Sequence, residues 1–160
     1  MLTTALLLAP ILCFFFWRSF NPGYVLFSND NPLGQMAASR DLQLAGFTGV
    51  WQNLNWLGGE AVSTLPSITT AFTLATTPAL FERIYVPISL LIVGVSACFC
   101  LRQFGLIAPA CVLGGLAAAL NSDFFSTACW GVPAHVITFA CNFIALGLLA
   151  RGEPVEPASV

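Results

Sequence analysis

The stretch IYVPISLLIVGVSACFCL, residues 84–101, contains no charged side chain and is mostly apolar. A helix needs roughly 20 apolar residues to cross the hydrocarbon core of a bilayer. Pro87 falls in the first turn of this run, where a missing N–H costs little. Glu82 stands just ahead of the run, where it suits the positive end of a helix dipole. These features predict a transmembrane helix over 84–101.

The composition of the whole chain supports the same class of protein. Of the 160 residues, 58% are hydrophobic and only 8% are charged, and the mean hydropathy is +0.86. A soluble domain carries about 25% charged residues, so this chain has too few to cover a soluble surface. A net charge of -2 leaves no basic patch for nucleic acid. We predict an integral membrane protein embedded in the lipid bilayer that does not bind nucleic acid.

Three more apolar runs are candidate spans, at residues 2–17, 106–120 and 132–150. A cleaved signal peptide is the competing interpretation of the first run, but no basic residue precedes it and no small-x-small cleavage site follows. The predicted fold is therefore an all-α integral membrane protein with about four transmembrane helices. These form one membrane domain over 1–150, and the proline-rich residues 151–160 are predicted to be a disordered tail.

A long polar loop, residues 18–61, separates the first two predicted spans. Residues 62–80 follow it and are ambiguous, because they are mostly apolar but rich in serine and threonine. We interpret 62–80 as an interfacial or re-entrant helix, with a short span as the alternative. If this segment does not cross the membrane, the polar loop, the Asp123 loop and the start of the last span share one side. We expect that side to be extracytoplasmic.

Small residues mark two features of the predicted spans. Ala110, Gly114 and Ala118 recur every four residues, a stripe that lets another helix approach closely and predicts contact with partner membrane subunits. The six cysteines lie in or beside apolar runs and show no metal-ligand spacing, so we interpret them as packing residues rather than a disulfide framework.

Four stretches occur in a recognisable order: Ser28-Asn29-Asp30, Trp51-Gln52-Asn53 with Gly58-Gly59, residues 101–106 and residues 117–125. This order resembles the YfhO family of bacterial multi-spanning membrane proteins, which are relatives of the GT-C glycosyltransferases. The resemblance implies a multi-pass protein of the bacterial inner membrane. Family members are usually several times longer, so the chain resembles an N-terminal piece or a reduced member.

The resemblance also nominates a reaction and its residues. GT-C enzymes transfer a sugar from a polyprenyl-phosphate carrier, with an aspartate of the first outer loop as base or as metal ligand. That role falls on Asp30, with a turn aspartate capping its own backbone as the alternative. Whether the reaction uses a divalent metal ion is left open, and no set of metal-ligating residues is predicted in this chain. Asp123 is a second catalytic candidate because it ends a predicted span on the same side of the membrane. The alternative is that Asn121-Ser122-Asp123 only ends the helix.

Four further residues are candidates for binding the substrate: Arg40, Glu60, Arg83 and His135. Either arginine could meet a carrier phosphate. Arg83 could instead anchor the chain at the membrane interface, Glu60 could sit at headgroup level, and His135 could be a satisfied helix-end histidine.

A function of another class is also consistent with the sequence. The short chain, the stripe of small residues and the scarcity of charge suit a non-catalytic structural subunit of a larger membrane protein complex. A transporter or channel has less support, since no predicted span carries a central charge.

Overall fold

The computed structural model describes residues 1–26, 29–30, 32–43, 47, 51–52, 59–60 and 67–152. This part of the chain is helical apart from one antiparallel pair of two-residue strands, β1 (Trp51–Gln52) and β2 (Gly59–Glu60), in which Trp51 pairs with Glu60. The helices are α1 (Leu2–Phe15), α2 (Leu33–Gln43), α3 (Ile68–Ala75), α4 (Pro78–Gln103), α5 (Ala108–Leu120), α6 (Ser122–Trp130) and α7 (Pro133–Gly152).

Two of these helices, α4 and α7, are long and apolar enough to cross a membrane. A third span results if α5 and α6, which are bent by 40° at Asn121, act as one broken helix. With 14 residues, α1 is about 21 Å long, short of a hydrocarbon core of about 30 Å. The chain is therefore consistent with a membrane protein of two to three spanning helices, and the predicted count of four is not confirmed.

The segment predicted as one helix over 62–80 is divided. Residues 62–66 lie outside the described part, Ser67 caps α3, and the backbone becomes extended at Thr76. Helix α4 then starts at Pro78 rather than at residue 84, because the Leu80 amide donates to the Thr77 hydroxyl oxygen at 3.3 Å and proline suits a first helical position. The earlier start places Glu82 and Arg83 inside the helix.

The predicted Asp123 loop is also helical, which corrects the sequence interpretation. Asn121 ends α5 and starts α6 at the same time: its Nδ2 donates to Ala118 O at 2.6 Å, and its Oδ1 accepts from Phe124 N at 2.9 Å. One asparagine thus satisfies a free carbonyl at one helix end and a free amide at the next. The chain bends here without a loop, and Asp123 lies in the first turn of α6.

Packing divides the chain into two compact units, the first comprising Met1–Trp17 with Val86–Val160, and the second Arg18–Tyr85. In the first unit the buried residues of α1 and α5 recur every four positions. Thr4, Leu8 and Leu12 form the buried face of α1. The buried face of α5 consists of Cys111, Gly115 and Ala119.

Gly94 of α4 and Gly115 of α5 lie at a close approach of the two helices. A Cβ built on Gly94 would lie 2.8 Å from Gly115 O, and one built on Gly115 would lie 2.6 Å from Gly94 O. Two side chains of α1 pack against the same point. A methyl group of Leu8 lies 2.5 Å from the Gly94 Cβ position, and a methyl group of Thr4 lies 2.8 Å from the Gly115 Cβ position. The two helix backbones therefore touch, and α1 covers the contact.

The predicted stripe of small residues lies beside this contact rather than in it. Ala110, Gly114 and Ala118 are half-buried, and a Cβ on Gly114 would meet the Leu101 side chain at 2.1 Å. The structure uses the neighbouring face of α5 for its own packing. Contact of the stripe with a partner subunit stays a prediction.

A methyl group at the crossing point tests this packing. We expect Gly115→Ala to destabilise the folded chain by about 2 kcal/mol, because the neighbouring backbone oxygen cannot move away as a side chain could. The melting temperature of the purified protein in detergent, followed by circular dichroism, should fall by several degrees. The matched control is Gly34→Ala in α2, where no atom lies within 4 Å of the added Cβ. Equal melting temperatures for the two variants would show that the helices do not meet at Gly115.

Candidate functional site

Asp30, the predicted catalytic aspartate, lies between α1 and α2 in the second unit and is exposed to solvent. Within the described part of the chain its carboxylate makes no hydrogen bond or ion pair. Its neighbours Ser28 and Asn31 lie outside the described residues, and both interpretations of Asp30 stay predictions.

The other predicted residues of the second unit differ in how much the structure shows. Arg40 is half-buried in the last turn of α2, where a cation suits the negative end of the helix dipole. Glu60 lies in β2 opposite Trp51, but its side chain falls outside the described residues, as does that of Asp41.

Arg83 has a structural role that was not expected from the sequence. Its Nε donates to Tyr24 O at 3.1 Å, and one terminal nitrogen donates to Pro22 O. These bonds hold the segment after α1 against the beginning of α4. A guanidinium carries five N–H donors, so a phosphate could still be met by those that remain.

Glu82 is the residue whose setting sequence reasoning missed. Its side chain is only 5% exposed, and no described residue gives it a hydrogen bond or an opposite charge. An ionisable residue enclosed to this degree is uncommon and is a candidate for a function. The signal was present in the sequence: Thr77 followed by Pro78 is a helix start, which puts Glu82 one turn inside α4 rather than ahead of it.

The helical turns around Glu82 are joined to α3 by aromatic and hydroxyl contacts. The ring of Tyr85 lies 4.3 Å from that of Phe81 and 5.5 Å from that of Phe72, between ring centroids. The Tyr85 hydroxyl also forms a hydrogen bond with the Thr69 hydroxyl. These contacts fix the short α3 against the N-terminal turns of α4, which contain Glu82.

Asp123 and His135, the remaining predicted site residues, belong to the first unit. Asp123 is exposed in the first turn of α6, where its charge suits the helix dipole. His135 is exposed in the first turn of α7, and its ring centroid lies 5.2 Å from that of Phe139. Among the described residues, no group of three histidine, cysteine, aspartate or glutamate side chains could hold a metal ion.

The predicted site residues belong to both units. Arg40 and Arg83 share the second unit with Asp30, while Asp123 and His135 lie in the first. Their assignment to one site stays a prediction. No family model, no curated protein and no solved structure matches the chain.

The burial of Glu82 generates a prediction about stability. We expect Glu82→Gln to raise the melting temperature in detergent by a few degrees, because an amide is less costly to bury than a carboxylate. The same exchange at the exposed residue, Asp30→Asn, should leave the melting temperature unchanged. A lower melting temperature for Glu82→Gln would mean that the carboxylate has a favourable partner in the folded protein.

Proposed function

We propose that the chain is a polyprenyl-phosphate-sugar-dependent membrane glycosyltransferase of the GT-C type, or an N-terminal piece of one. The observation that carries the proposal is the Asp30 carboxylate, which is exposed and makes no bond to a described residue. The YfhO-like order of motifs assigns the catalytic role to the same residue. The helical structure, with two to three helices able to span a membrane, suits a lipid-linked donor.

The chemistry requires a base and a positive charge. The acceptor hydroxyl gives its proton to Asp30 while its oxygen forms a bond to the anomeric carbon of the sugar. The bond from that carbon to the carrier phosphate breaks, and polyprenyl phosphate leaves with the electron pair. A cation must neutralise the departing phosphate. Arg40 and the unused donors of Arg83 are the candidates in the second unit, and a divalent metal ion would serve the same purpose.

Substitution of the proposed base tests this function. In vesicles supplied with a labelled polyprenyl-phosphate sugar and an acceptor, Asp30→Asn should lower the rate of transfer by a factor of about 100 or more, as loss of a general base does. The exposed neighbour Asn29 provides the control, and Asn29→Ala should retain transfer. Unchanged transfer by an Asp30→Asn protein that inserts normally would remove Asp30 from the mechanism.

A second candidate function is favoured by the exposure of α7. Only 28% of the most apolar 18-residue stretch of α7 is buried within the chain, against 61% for that of α4. Such a helix has room to contact other membrane proteins. This suits a non-catalytic structural subunit of a larger complex.

The subunit function predicts a stoichiometric partner. Extraction of the protein from its own membrane in a mild detergent should then yield a complex with at least one other chain, resolved by size and by intact mass. A solitary, monodisperse protein would contradict the subunit function and leave the enzymatic one in place.

A further inference from the structure

Glu82 lies on the buried face of α4. Its side chain is only 5% exposed, and the side chains three, four and seven residues further along the helix, Tyr85, Val86 and Ser89, are buried as well. Residues at these spacings share one face of a helix. The carboxyl group therefore belongs to the protein interior and not to a surface that meets lipid or water.

No cation among the described residues balances this carboxyl group. The chain contains no lysine, and its arginines, its histidine and its N-terminal amine all belong to the described residues. None of these described groups forms an ion pair with Glu82, and no described residue forms a hydrogen bond with it. The side chains of Asp41 and Glu60 lie outside the described part, but both are acids and could not serve as counter-ions.

The ionisable groups near the beginning of α4 have other contacts. On α4 itself they are Arg83, which donates to backbone carbonyls of the segment after α1, and Tyr85, whose hydroxyl bonds to a threonine of α3. The ionisable side chains of that segment, Arg18 and Tyr24, are exposed. Helix α3 contributes no ionisable side chain. The surroundings of the carboxyl group thus favour its neutral form.

Helix α3 packs on the turns of α4 that contain Glu82. The ring of Phe72 lies 5.8 Å from that of Phe81 and 5.5 Å from that of Tyr85, between ring centroids. Phe81 precedes Glu82 directly, and Tyr85 follows it by one helical turn. Departure of α3 from these two rings would open the same turns of α4 to water.

We propose that Glu82 is a proton-binding site that couples the docking of α3 to pH. An ionised carboxylate enclosed without a counter-ion loses its hydration and gains no compensating charge, so the neutral acid is the form that the closed structure holds. In contact with water the same group is ionised at neutral pH. The chain therefore binds a proton at Glu82 when α3 docks on α4, and releases it when α3 leaves.

Infrared spectroscopy of the full chain near neutral pH tests whether the proton is bound. Vesicles of an ether-linked phosphatidylcholine are suitable, because this lipid has no carbonyl band of its own. The wild-type chain should show the carbonyl band of a protonated carboxylic acid, and the band should shift in heavy water. Glu82→Gln should remove it. Asp123→Asn, which alters an exposed acid, should leave it unchanged.

Hydrogen exchange of the α3 peptide, followed by mass spectrometry, tests the coupling. Because the closed form holds one more proton than the open form, closing weakens as the pH rises, by about tenfold for each pH unit above the ordinary range of a glutamate. Wild-type α3 should therefore lose protection with rising pH. In Glu82→Gln the protection should stay constant, once both chains are compared at the same pH to remove the intrinsic rate of exchange.

Two results would overturn the proposal. A wild-type spectrum without the carboxylic acid band, or with a band that Glu82→Gln leaves in place, would show that Glu82 is ionised in the folded chain and is balanced by a cation from outside it. The same pH dependence of α3 protection in the wild-type chain and in Glu82→Gln would show that the proton at Glu82 does not control the docking of α3.

Discussion

The contact between the backbones of Gly94 and Gly115 is the constraint on which the first unit depends. A hydrogen atom at each of these positions lets α4 and α5 meet without side chains between them, and α1 closes over the contact through Thr4 and Leu8. Apolar burial cannot drive helices together inside lipid as it does in water, so close packing of small residues has to supply the attraction. Helix α1, which is too short to span a bilayer on its own, is held to α4 and α5 by this junction.

Helix α4 also connects the structure to the candidate chemistry. Its residues 86–103 belong to the first unit, whereas residues 78–85 carry the features of the second: the buried Glu82, the carbonyl-binding Arg83, and Tyr85 bonded to Thr69. Ionisable side chains are uncommon near the apolar part of a helix that is able to span a membrane. Glu82 and Arg83 are therefore the residues of α4 that we connect with the proposed function.

The sequence predicted the features that depend on a single segment of the chain. It did not predict the features that depend on contacts between segments. The mostly apolar run at 84–101 lies inside α4, and the run at 132–150 coincides with most of α7, since length and hydropathy are properties of one segment. The helical bend was missed because Asn121-Ser122-Asp123 resembles an ordinary helix end, and only the structure shows Asn121 capping two helices. The pairing of Gly94 with Gly115 is a long-range contact that no spacing within α5 reveals. For the candidate site, Asp30 was nominated by a family resemblance and stays a prediction. The burial of Glu82 was missed because the start of α4 was placed six residues too late.

We propose that this chain, which has two to three helices able to span a membrane, transfers a sugar from a lipid-linked carrier. The most direct measurement is turnover of a labelled polyprenyl-phosphate sugar by the purified chain, reconstituted in vesicles and shown by circular dichroism to be helical. The account predicts loss of the donor, with release of polyprenyl phosphate and appearance of the label in an acceptor. An intact donor in the presence of a folded, inserted protein, with and without added divalent metal, would contradict it and favour the non-catalytic role.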